Sequence, residues 1–290
     1  LLSGLQFSDA GFALGAAHIY EVLAVDASGQ DGARARISVP AVDFTLASYG
    51  VNLNGVQALT RGFFDTVQLR IINTGAQAAS VGPATVELIS TATVASVQAP
   101  SVSVPAGGNA LMPAVVAVIP DMPDAPTLRA TLTLPVGLGG QATVTKTFPL
   151  SARTPLGSPV ELFAGPMIFG ANAAVQVKLN NKGSAPLEIR TAINSDLSVT
   201  LATPQGTVLS QALLSQTGNG AQAGPTGYFV SVAPGSSYLF DPVMVFVPEA
   251  LGSSAILSAS IARTFNNLLG TAIQGTRAFG ASQSIAGGTA

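Results

Sequence analysis

The sequence predicts an all-β chain built as tandem antiparallel β-sandwiches. Three observations carry that expectation. Apolar and polar residues alternate with a period of two, and no segment of helix length shows a 3.6-residue period. Gly, Pro and Asn interrupt the alternating runs at short intervals, as turns between strands do. A stretch about the size of one sandwich domain, roughly 100 residues, occurs twice.

The alternation is explicit in several runs. Val67, Leu69 and Ile71 alternate with Gln68 and Arg70, and Ala84, Val86 and Leu88 with Thr85 and Glu87. Leu128, Ala130, Leu132 and Leu134 alternate with Arg129, Thr131 and Thr133, and Val175, Val177 and Leu179 with Gln176 and Lys178. Such runs bury one face and wet the other, which is the habit of antiparallel sheets. Lys146 falls on the otherwise apolar face of Ala142, Val144 and Phe148. An inward charge at that place is expected to guard an edge strand against pairing with other chains.

The repeat has two landmarks. Val67 to Gly75 (VQLRIINTG) matches Val175 to Gly183 (VQVKLNNKG) in residue type along its length, at a spacing of 108 residues. Val104-Pro-Ala-Gly107 leads into an apolar strand that stops at Pro120, and Val232-Ala-Pro-Gly235 into one that stops at Pro248. There the spacing has grown to 128, so the second copy carries about twenty extra residues between the landmarks. The insertion is expected within Asn194 to Gly227, near 203–227, where the run from Gln216 to Gly227 is rich in Gly. Asn73-x-Gly75 and Asn181-x-Gly183 read as strand-ending turns whose glycines take a positive φ, and Gly107 and Gly235 as a second turn. The copies are placed at 41–153 and 156–270. Thr154 to Pro159 between them is short and Pro-rich, which predicts a semi-rigid spacer. Residues 271–290 read as a linker or as the first strand of a further domain.

Residues 1–40 differ from the repeat. A turn ends at Gly15, a strand carries Tyr20, Val22 and Ala24, and Asp26-x-x-Gly29 forms the next hairpin turn. This segment resembles the C-terminal half of a fibronectin type III domain, with Leu14 where that family has Pro and His18 where it has its first strand Tyr. The two copies resemble immunoglobulin-like domains of the CARDB type, through Val67–Gly75 with Val86–Leu88 and Val175–Gly183 with Val199–Leu201. Both resemblances imply modular secreted or cell-surface bacterial proteins, in which such domains serve as spacers or adhesive modules. With only half a fibronectin III-like domain present, and neither a basic leader nor a sorting signal in view, both ends are expected to be cuts through a longer polypeptide.

Composition excludes several functions. Of 290 residues, 48% are apolar and only 9% charged, with 12 Lys+Arg against 14 Asp+Glu. No cluster of cations is present to displace the counterions of a nucleic acid. With no Cys, disulfides and Cys-based zinc sites are impossible. The most apolar stretch, Leu111 to Ile119, is broken by Pro113 and is far short of a spanning helix, so no membrane span is expected. Few, scattered aromatics do not form the girdles of a membrane barrel.

The chemistry is as sparse. His18 is the lone His, which leaves any Ser-His-Asp triad dependent on a strand residue; no Gly-x-Ser-x-Gly elbow accompanies it. Asp121 and Asp124, and Asp26 and Asp31, lie in turn-like sequences, and a calcium site needs six to eight oxygens. Gly218 to Gly224 lacks the spacing and the Lys of a phosphate loop. No catalytic, metal-binding or cofactor-binding residue is assigned. Loop tips on rigid sandwiches often carry contacts, so Gln216, Asn219, Gln222, Tyr228 and Tyr238 around the insertion are the candidate contact surface.

These readings converge on a non-catalytic spacer segment of a large bacterial secreted or cell-surface protein, adhesive in some settings. Its partners are other domains of the same polypeptide, proteins at the surface, or further copies of itself. The alternatives are a subunit of a filament, phage tail or surface assembly linked by strand exchange, and an accessory binding module of a secreted enzyme or toxin.

Overall fold

Period-two alternation places successive side chains on opposite faces, and each regular element in the computed structural model is accordingly a β-strand. The structure describes residues 15–91, 93–136, 140–192, 195–225, 227–249, 254–266 and 272–286. Among these, no helix is long and apolar enough to cross a membrane. The chain is all-β, with small antiparallel sheets arranged as tandem immunoglobulin-like sandwiches.

The first element is a hairpin of β1 (His18–Val25) and β2 (Asp31–Val39). Its turn is built by Asp26, whose Oδ1 accepts from Ser28 N at 2.9 Å, Ser28 Oγ at 2.6 Å and Gln30 N at 2.9 Å. Those bonds, the Ser28 hydroxyl first, hold the Asp26 carboxyl below the usual carboxylate range. Gly29 takes the positive φ of 81° the turn requires. Ile19, Val22 and Val25 are each more than half exposed, so this hairpin carries an uncovered apolar surface. Ser8 to Leu14, which belong to the fibronectin-like motif, lie outside the described residues.

The first sandwich runs through β3 (Val42–Tyr49), β4 (Val51–Leu53), β5 (Val56–Thr60), β6 (Phe64–Asn73), β7 (Ala79–Val81), β8 (Ala84–Ile89), β9 (Thr93–Ala99) and β10 (Val102–Val104). It continues through β11 (Asn109–Ala117), β12 (Thr127–Val136), β13 (Gly140–Pro149) and β14 (Ala152–Arg153). One sheet has the order β11-β6-β3 and the other β13-β12-β8-β9, with β7 and β10 as a separate pair. Phe44, Leu69, Ile71, Leu88, Met112 and Leu128 fill the space between them and are wholly buried. Each such side chain contributes about 1.5–3 kcal/mol through apolar burial.

Strand β13 lies at the edge of its sheet, and Lys146 projects from it into the gap between the sheets. Its Nζ pairs with Asp43 Oδ1 at 2.5 Å, donates to Phe44 O at 2.9 Å and lies 5.3 Å from the centre of the Phe44 ring. The charge thus closes the open side of the sandwich. Lys146→Val leaves Asp43 without this partner and gives an edge strand an apolar face. The expected result is faster aggregation than the parent chain at matched concentration, followed by light scattering; equal rates would remove this role from Lys146.

The second sandwich comprises β15 (Val160–Ala164), β16 (Asn172–Asn180), β17 (Leu187–Arg190), β18 (Leu197–Ala202), β19 (Val208–Leu213), β20 (Gln222–Gly224) and β21 (Gly227–Val232). It ends with β22 (Ser237–Leu239), β23 (Val243–Phe246), β24 (Ser254–Asn266) and β25 (Ala272–Ala286). Strand β16 pairs with β15 on one side and with β22 and β23 on the other, and the facing sheet has the order β19-β18-β24-β25. That order repeats β9-β8-β12-β13 of the first copy.

This topology bears on two of the expected boundaries. Strand β25 pairs back on β24 from Ala272 opposite Asn266 to Ala286 opposite Ser254, just as β13 pairs on β12. Residues 271–290 therefore hold the last strand of the second sandwich, which does not end at 270. Within the range 203–227, β19 pairs with β18 as β9 does with β8. The largest surplus is the connection from β19 to β21, about residues 214–226, which contains the short strand β20.

Candidate functional site

The two landmarks of the repeat meet in space, and buried asparagines join them. Asn73 Nδ2 donates to Gln77 O at 2.8 Å, Val104 O at 3.2 Å and Pro105 O at 3.2 Å, while its Oδ1 accepts from Gly75 N at 2.9 Å. Asn181 repeats the arrangement, donating to Ala185 O at 2.9 Å and Val232 O at 2.8 Å and accepting from Gly183 N at 3.0 Å. Backbone bonds from Gly107 N to Gly75 O and from Gly235 N to Asn181 O, both 3.1 Å, close each junction. Gly107 and Gly235 take positive φ values of 63° and 68°.

Gly75 and Gly183 correct the sequence-based expectation, because neither has a positive φ. The room for a side chain differs between them: it is tight at Gly75 and absent at Gly183. A Cβ on Gly75 would lie 3.1 Å from Asn73 Oδ1. A Cβ on Gly183 would lie 2.3 Å from Phe64 O and 2.8 Å from Phe63 Cβ, which are atoms of the other sandwich.

That contact is the joint between the sandwiches. Ser184 N donates to Asp65 Oδ1 at 2.6 Å, Thr66 N donates to Ser184 Oγ at 2.9 Å, and Ala185 N donates to Phe64 O at 3.2 Å. Thr60 N donates to the other carboxylate oxygen of Asp65. Asp65 is wholly buried. Burial lifts its carboxyl above the usual carboxylate range, against the opposing pull of the Thr60 and Ser184 amides and the Arg153 charge. At the repeat spacing of 108, Asp65 corresponds to Ala173 and Ser184 to Ala76. The joint therefore uses polar residues that the other copy lacks at the same positions. Behind it, β14 runs parallel to β5, with Ala152 opposite Leu59 and Arg153 opposite Thr60, so the chain enters Thr154 to Pro159 already tied to the first sandwich.

The expected contact surface divides. Gln216 is buried, 1% exposed, which corrects its assignment as a contact residue. Its Nε2 donates to Tyr238 Oη at 2.7 Å, Gly218 O at 3.2 Å and Asn219 O at 3.3 Å, and its Oε1 accepts from Asp241 N at 3.1 Å. Every polar group of that amide is used inside the fold. Tyr238 is half-buried: it donates to Asn219 O and meets Phe240 edge-on at 5.0 Å. Asn219, in a left-handed conformation with φ 52°, donates to Asp241 Oδ1 at 3.0 Å. These three side chains fasten the 214–224 connection to β22. Gln222 is exposed on β20 and Tyr228 half-buried on β21, where the Tyr228 carbonyl accepts from Thr191 N at 2.9 Å.

The acidic loops take structural partners. Asp124 pairs with Arg61, and Asp31 lies 3.9 Å from Arg34 at the exposed start of β2. His18 stacks on Tyr20 with ring centres 6.3 Å apart. Among the described residues no three of His, Asp and Glu come together as a metal site. Sequence reasoning missed Asp65, which looks ordinary in Phe63-Phe64-Asp65-Thr66. The available signal was its departure from Ala173 in the aligned repeat.

No protein-family model matches the chain, and no curated relative does. Solved structures match at low identity and low TM-score. A protein of unknown function from Porphyromonas gingivalis W83 is 15% identical, with 83% of this chain and 98% of that chain covered and a TM-score of 0.23. The Pseudomonas aeruginosa CupB2 chaperone is 14% identical, with 80% and 97% covered and a TM-score of 0.23. Red sea bream transglutaminase is 15% identical over 81% of this chain, at a TM-score of 0.25; the match spans 30% of the enzyme.

Proposed function

We propose that this chain is a non-catalytic structural spacer of a large bacterial secreted or cell-surface protein. The observation that carries this reading is the joint. Asp65 and Ser184 stand where the other copy has Ala173 and Ala76, and they hydrogen-bond across the two sandwiches. A spacer must transmit orientation, and a joint secured by buried polar bonds restricts the relative motion that tandem domains show by default.

The exposed Ile19, Val22 and Val25 favour a second reading, in which the hairpin of β1 and β2 receives strands from another copy in a surface assembly. Two measurements on the purified chain separate the two. Residual dipolar couplings from both sandwiches are expected to fit one alignment tensor, and sedimentation equilibrium is expected to give a monomer. Two independent tensors would overturn the spacer. A concentration-dependent oligomer would move assembly into first place.

A further inference from the structure

A cleft of about 620 Å³ opens beside the joint, lined from both sandwiches and from the linker. Its charged lining residues are Arg153 and Lys182, and no carboxylate lines it. Neither cation pairs with a carboxylate within 4 Å among the described residues. Lys182 Nζ reaches over the linker, 3.7 Å from where a Cβ on Gly157 would stand.

The second observation is independent of charge. Among the described residues, two buried side-chain polar atoms have no hydrogen-bond partner, Thr60 Oγ1 and Arg153 Nε. Both belong to residues that line this cleft. Thr60 is 1% exposed. Leaving such groups unpaired costs more than a typical bond returns on folding, so they are rare without a reason. Asp65 feels the Arg153 charge, but its oxygens already accept from the Thr60 and Ser184 amides, and it forms no ion pair with that guanidinium within 4 Å. Leu53, Pro155 and Leu156 add apolar surface to the same cleft, with Leu156 66% exposed.

We propose that the cleft binds a small organic oxyanion, a carboxylate or sulfonate-type head on an apolar body. Arg153 and Lys182 supply the charge, and Leu53, Pro155 and Leu156 cover the body. A guanidinium donates in a fixed fork that suits such heads. The cleft and its ligand do not depend on the spacer role, since a jointed or an assembling chain would present the same residues.

The test is a titration of the isotopically labelled full chain with benzoate, benzenesulfonate and inorganic sulfate at constant ionic strength, read from backbone amide shifts. Benzoate or benzenesulfonate is expected to saturate with one site, moving the amides of Thr60, Arg153, Gly183, Ser184 and Ser236, and the tighter of the two identifies the head. Arg153→Gln and Lys182→Gln are each expected to weaken it roughly tenfold, the scale of a charge-assisted bond, with amide positions elsewhere unchanged. Inorganic sulfate is expected to bind more weakly than either. Linear shifts without saturation, shifts spread over the surface, or affinity unchanged in Lys182→Gln would overturn the site. Sulfate binding as tightly as the organic anions would overturn the apolar half of the recognition.

Discussion

Gly183→Ala will uncouple the two sandwiches while leaving each one folded. The added methyl would lie 2.3 Å from Phe64 O and 2.8 Å from Phe63 Cβ, and neither atom belongs to a flexible side-chain end. The turn itself tolerates Ala, because Gly183 does not occupy the left-handed region. Relief must therefore come from withdrawal of the turn. Withdrawal breaks the bonds from Ser184 N to Asp65, from Thr66 N to Ser184 Oγ and from Ala185 N to Phe64 O. Buried groups left without partners cost about 1–3 kcal/mol each, so the joint is expected to open outright. Dipolar couplings should then need two tensors where the parent needs one, and calorimetry should show two transitions. Gly75→Ala is the control, since its methyl would meet only Asn73 Oδ1 at 3.1 Å and Ala41 Cβ at 3.6 Å. A single tensor in Gly183→Ala would show that the turn is not what holds the sandwiches together.

Asp65→Asn will destabilise the chain even though it removes a buried charge. The carboxylate accepts on both oxygens, from Thr60 N and from Ser184 N. An amide has one acceptor, so one of these N–H groups would face an NH₂ donor. A loss of about 1–3 kcal/mol is expected from chemical denaturation. The pH dependence distinguishes this from simple misfit. Burial raises the folded-state affinity of the carboxyl for its proton above that of the unfolded chain, whose ordinary value is 3.8. Between 3.8 and the raised value the folded state holds more protons than the unfolded one, so stability falls as pH rises through that window. The contribution is complete below 3.8 and is lost above the folded-state value. Other carboxylates titrate alike in both proteins and cancel in the difference. The stability of the parent relative to Asp65→Asn should therefore decline from acid toward neutral pH. A difference that is flat or rises with pH would contradict the assignment of burial as the dominant influence on Asp65.

The fold was legible where period and punctuation agreed. In β6, the alternation of Val67, Leu69 and Ile71 with Gln68 and Arg70 became a strand with its apolar residues wholly buried. The repeat landmarks marked the turns at Asn73 and Asn181, but not the reason for their glycines. Positive φ is a local property that a sequence advertises, whereas the crowding at Gly183 arises from Phe63 and Phe64 more than a hundred residues away. From sequence, residues 271–290 read as a linker or as the first strand of a further domain because Gly, Ala, Ser and Thr dilute the alternation; pairing with β24 makes β25 a strand of the second sandwich. Gln216 was misplaced for a related reason. A glutamine in a Gly-rich run reads as exposed, and only the fold brings Tyr238 and Asp241 to its amide.

The Asn-x-Gly turn also gives the chain a sense of direction. In the first copy, Thr74 N donates to Ala41 O at 2.9 Å and Thr74 Oγ1 to Gly15 O at 2.5 Å, so the turn reaches back to the segment before it. In the second copy, the corresponding turn reaches back to Phe64 and Asp65 of the first. In both copies the contact back to the preceding segment comes from the stretch around this turn, through Thr74 in the first and through Ser184 and Ala185 in the second. Tension along such a chain loads these turns in series, ahead of the sheets behind them. If the chain serves as a spacer, force spectroscopy is expected to show the joint between the sandwiches parting before either sandwich unfolds.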